Sequence, residues 1–69
     1  MIANDQELKG TQARIAYFED LLAQMRVTAN AELFPSMASG YRAEIERMQR
    51  EVLEYLTRHV NQHPTVEVA

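Results

Sequence analysis

Apolar residues recur along this chain at alternating intervals of three and four, the seam of one helix packed against another. In the first half the seam is Leu8, Thr11, Ile15, Phe18, Leu22 and Met25. In the second half it is Ala38, Tyr41, Ile45, Met48, Val52, Tyr55 and His59. No four-residue run alternates β-branched and polar side chains, so strands are not predicted. The pattern predicts helices over about residues 5–27 and 36–59. Asn4 suits an N-cap, and Glu7 three residues later completes a capping box. Asp5 and Glu7 place negative charge on the positive end of the helix dipole. Gly10 costs about 1 kcal/mol against alanine inside a helix. Around Val27, Thr28 and Asn30 the helical signal fades, which puts the connection at about residues 28–35. Pro35 fits the first turn of the second helix, where Ser36 and Ser39 offer competing caps. Leu33 and Phe34 are expected to turn inward and plug the open end. Beyond His59, Asn61, Pro64, Thr65 and Val66 read as a tail. The division is therefore a helical hairpin over residues 1–60 and a flexible tail over 61–69.

The two seams match in length. Pairing them antiparallel sets Ile15 opposite Val52, Phe18 opposite Met48, Leu22 opposite Ile45 and Met25 opposite Tyr41. The residue numbers of each pair then add to 66 or 67. An all-α antiparallel two-helix hairpin is the natural reading. It leaves a second stripe unused: Tyr17 and Leu21 on the first helix, Leu53, Leu56 and Val60 on the second. Each large apolar side chain left in water forgoes about 1.5–3 kcal/mol. These five residues are accordingly expected to form an interface, most simply a homodimer that builds a four-helix bundle or a coiled-coil-like assembly.

Composition narrows the chemistry. Sixty-nine residues allow one small domain, and with no cysteine neither a disulfide nor a thiolate is available. Ten acids against seven bases give a net charge of −3, which disfavours non-specific binding to phosphate backbones. No apolar run nears the ~20 residues of a membrane span, and no signal-peptide core is evident. A soluble cytoplasmic protein without membrane contact is expected. The second helix carries opposite charges four apart: Arg42–Glu46, Glu46–Arg50, Arg47–Glu51, Arg50–Glu54 and Glu54–Arg58. Isolated helices gain about 0.2–0.5 kcal/mol from each such pair. Glu44, Glu46, Glu51 and Glu54 are thus read as a solvated face rather than catalytic carboxylates. Ser36 and Ser39 lack a histidine or aspartate partner and are read as caps. His59 and His63 share one helical face, a spacing some zinc sites use. Only Glu67 is at hand to complete the set, and Pro64 interrupts, so no metal and no cofactor is expected. No catalytic residue is assigned. Arg47, Arg50 and Arg58 occupy one sector of the second helix and form the candidate set for an alternative function, a dimeric nucleic-acid-binding regulator.

The segment Ile2-Ala3-Asn4-Asp5-Gln6-Glu7-Leu8, followed by Arg14-Ile15-Ala16-Tyr17-Phe18, resembles the start of short bacterial helical proteins. It is also similar to the helical arm that precedes the DNA-binding domain of some HigA-type antitoxins. Glu44-Ile45-Glu46-Arg47-Met48-Gln49-Arg50-Glu51-Val52 fits the second helix of that arm, so the resemblance spans residues 1–58. The chain has no helix-turn-helix domain, so the resemblance does not imply operator binding. It implies dimerisation and contact with a protein partner. The leading expectation is a non-enzymatic helical interaction module, antitoxin-like in binding a partner.

Overall fold

The structure is a computed structural model and describes residues 1–59. Two helices, α1 (Asp5–Thr28) and α2 (Phe34–Leu56), pack against each other as an antiparallel hairpin, with no strand among the described residues. The expected tail over 61–69, with Val60, His63 and Glu67, lies outside them.

The start of α1 follows from its first residues. Asn4 Oδ1 accepts a hydrogen bond from the Glu7 amide at 2.8 Å. Glu7 Oε1 reaches back to accept from the Ala3 amide at 2.9 Å. This is the reciprocal capping expected, with the returning carboxylate bound one residue before the cap. It curls the preceding segment over the hairpin, and Ile2 becomes part of the core, only 4% exposed. At the other end the Ala29 amide donates to the Met25 carbonyl and closes the helix.

The connection is shorter than the sequence implies. Asn30 Oδ1 accepts from the Glu32 amide at 2.7 Å, and the Asn30 carbonyl accepts from the amides of Leu33 and Phe34. This local turn begins α2 at Phe34, two residues before the expected start, with Pro35 in the first turn where it needs no amide donor. Neither serine caps the helix. Their hydroxyls donate backwards, Ser36 to the Leu33 carbonyl and Ser39 to the Ser36 carbonyl. Leu33 stands at the cap position and is 58% exposed, so it does not plug the hairpin, while Phe34 is half-buried. At its far end α2 stops at Leu56, three residues short of the expected His59. Thr57 donates its hydroxyl to the Leu53 carbonyl there and competes with continuation.

The core consists of Ile2, Ile15, Ile45, Met48 and Val52, with Leu8, Phe18, Leu22 and Tyr55 packed around it. These are seam positions of both helices apart from Ile2. The register differs from the expected one. The Tyr55 hydroxyl donates to Asp5 Oδ1 at 2.6 Å, and the rings of Phe18 and Tyr41 stand 5.5 Å apart. The residue numbers of these pairs add to 60 and 59, which slides α2 along α1 by more than a helical turn from the 66–67 pairing. Thr11 and Arg14 accordingly line one groove with Arg47 and Glu51, and Gln12 and Ile15 line the other with Gln49 and Val52. A three-four seam repeats along the helix, so its spacing does not distinguish slips of about a heptad. The turn does. With α1 ending at Thr28 and α2 starting at Phe34, antiparallel neighbours must keep numbers that add to about 62.

Candidate functional site

The described residues offer surfaces rather than an enclosed site. Two grooves run between the helices, one on each flank. The first is lined by Glu7, Gly10, Thr11 and Arg14 of α1 and by Arg47 and Glu51 of α2, below Met1 and Ile2. The second, of about 340 Å³, is lined by Gln12, Ile15, Gln49, Val52 and Leu53 and is mainly apolar.

These grooves locate the expected interface residues. Tyr17 and Leu21 follow Arg14 by three and seven residues, so they continue the edge of α1 beside the first groove. Tyr17 is 61% exposed and Leu21 half-buried. Leu53 forms the wall of the second groove, and Leu56 stands one turn further along. They are 62% and 56% exposed. The structure thus brings Leu53 and Leu56 together and sets Tyr17 and Leu21 on the opposite flank. The stripe read from the sequence is two patches, and one flat contact covers either but not both. Val60 lies outside the described residues.

The first groove is electrostatically closed on itself. Arg47 donates from Nη2 to Glu44 Oε1 at 2.7 Å and from Nη1 to Glu51 Oε2 at 2.9 Å. The bond from Glu44, with that carboxylate's charge and then Glu51's, raises the guanidinium pKa further above its usual value. Of the five ion pairs anticipated along α2, Arg42–Glu46 and Arg47–Glu51 form, at 3.0 and 2.9 Å. Arg50, Glu54 and Arg58 form no ion pair among the described residues. Arg47 and Arg50 lie on α2 and Arg58 two residues beyond its end, and Arg47 is neutralised by Glu44 and Glu51.

Tyr55 carries a polar tether between the helices. Asp5 accepts its phenolic hydrogen, and this bond, then partial desolvation and the Asp5 charge, lift its pKa above the usual tyrosine value despite the opposing Arg58. A raised folded pKa means a contribution to stability that is complete below the unfolded value of about 10 and is lost as pH rises through the folded value. Thermal melts from about pH 9 to about pH 12 should therefore show a falling midpoint, and Tyr55→Phe should reduce that fall. An identical alkaline decline in the variant would show that the tether contributes nothing.

No cluster of three or more histidine, cysteine, aspartate or glutamate side chains capable of holding a metal occurs among the described residues. His59 is described; His63 and Glu67, named with it from the sequence, are not. No helix among the described residues is long and apolar enough to cross a membrane. Ile2 is missing from the sequence-based core because it precedes the helix and so stands outside any periodic pattern. The Asn4–Glu7 capping box is the one signal that the chain before it is held down. No protein family, curated protein or solved structure matches the chain.

Proposed function

We propose that the chain is a non-enzymatic helical interaction module that associates with a second copy of itself. The observation that supports this is the imbalance between what the hairpin buries and what it exposes. Among the described residues five apolar side chains are buried, Met48 and Ile2 the most completely. Tyr17, Leu53 and Leu56 remain more than half exposed. A core of this size gives a chain of this length little net stability by itself. Covering a second apolar face with an identical one supplies the missing burial without further sequence. A toxin-like or other helical protein is the partner that the HigA-type resemblance adds to this reading. The alternative of nucleic-acid contact through Arg47, Arg50 and Arg58 has less support, because Glu44, Glu51 and Glu54 compensate the charge of that sector.

When folding and association are coupled, the melting midpoint depends on protein concentration. Melts followed by circular dichroism over about a hundredfold range of concentration should show a midpoint that rises steadily. A midpoint independent of concentration would contradict self-association and would assign the exposed leucines to a different protein.

A further inference from the structure

We infer that residues 1–3 form a latch on the hairpin, seated by Ile2, that opens and closes while the two helices stay folded. Ile2 is 4% exposed and belongs to the core with Ile15, Ile45, Met48 and Val52. Yet it lies outside both helices, and little besides its own side chain holds its segment down. Among the described residues one hydrogen bond ties residues 1–3 to the helices, from the Ala3 amide to Glu7 Oε1 at 2.9 Å. The Met1 amino group stands 3.8 Å from Glu51 Oε1, a long ion pair between solvated groups that adds little. The Met1 side chain is exposed and contributes no burial.

Seating the latch orders the backbone of three residues and the side chain of Ile2. In return it buries one aliphatic group and forms one hydrogen bond to a carboxylate. These opposing amounts are of similar size, so the seated and released forms lie close in free energy. Release leaves the start of α1 intact. Asn4 Oδ1 accepts from the Glu7 amide and the Asn4 carbonyl from the Leu8 amide, and neither bond involves residues 1–3. The other four buried residues belong to α1 and α2 themselves. Met1 and Ile2 also form one wall of the groove beside Arg14 and Arg47. Release therefore removes that wall and uncovers the apolar seat of Ile2 between the helices.

A latch in near balance stabilises the fold by no more than its own seating, as a weakly populated ligand would. Every substitution that unseats it therefore meets the same low ceiling, whatever its chemistry. In urea titrations at one protein concentration, Ile2→Ala and Ile2→Asp should lower the folding equilibrium constant by the same factor, about tenfold or less. Ile45→Ala, which removes a side chain that both helices enclose, should lower it about thirtyfold or more. Without urea, Ile2→Asp should keep the helical circular dichroism of the unaltered chain. If Ile2→Asp unfolds the hairpin, or costs clearly more than Ile2→Ala, folding does not leave the seat open and the latch is wrong. A loss at Ile2→Ala as large as that at Ile45→Ala would overturn it equally.

Discussion

Replacing Met48 with alanine is expected to leave the chain largely unfolded at micromolar concentration. Met48 is 2% exposed and sits at the centre of the cluster formed by Ile2, Ile15, Ile45 and Val52. Truncating it removes the transfer free energy of three heavy atoms and leaves a void that two helices cannot collapse around without separating. Buried Leu, Ile and Met to Ala changes cost about 2–5 kcal/mol, and small domains rarely have more than about 5 kcal/mol in all. Ile45→Ala should fall in the same range. Leu22→Ala should cost less, because Leu22 is only half-buried where it packs against that cluster. Val27→Ala, at a site 72% exposed, should change stability by less than about 0.5 kcal/mol. Urea titrations of the four variants give the ranking directly. Equal losses at Met48 and Val27 would show that the faces are wrongly assigned.

The opposite change is expected from the two glycines. Gly10 and Gly40 both lie inside helices, and a Cβ added at either would meet nothing within 4 Å. Neither position uses the freedom glycine provides, so each carries only its entropic cost. That cost is about 0.8–1.0 kcal/mol relative to alanine in a helix interior. Gly10→Ala with Gly40→Ala should therefore stabilise the hairpin by about 1–2 kcal/mol. For a domain of this size that corresponds to a rise in melting midpoint of about 5–10 °C. Gly10 lines the flank opposite Leu53, so the gain should appear without loss of self-association. A midpoint that fell would mean that one of these surfaces is occupied in the working assembly.

How far the sequence spoke for itself differs from element to element. Helices were legible because both seams, the Asn4 cap and Pro35 all report on neighbours within a turn. The identity of Ile15, Ile45, Met48 and Val52 as core followed from the same spacing. Register was not legible from spacing, since a seam that repeats every seven residues matches itself after a slip. It was contained in the connection, where the Asn30 turn shortened the loop and fixed the helix ends. Ile2 was hidden because its burial depends on a chain reversal before the first turn. The candidate surface was half legible. Tyr17, Leu21, Leu53 and Leu56 were recognisable as surplus to one seam, but which flank each occupies depends on how the helices lie side by side. Only the grooves separating Arg14 and Arg47 from Gln12 and Gln49 show that.

The most direct measurement is sedimentation equilibrium of the unaltered chain, run from sub-micromolar to about a hundred micromolar, with helicity recorded on the same samples by circular dichroism. The account predicts a reversible monomer–dimer equilibrium in which helicity rises together with the dimer fraction. A monomer of full and constant helicity across the whole range would contradict it.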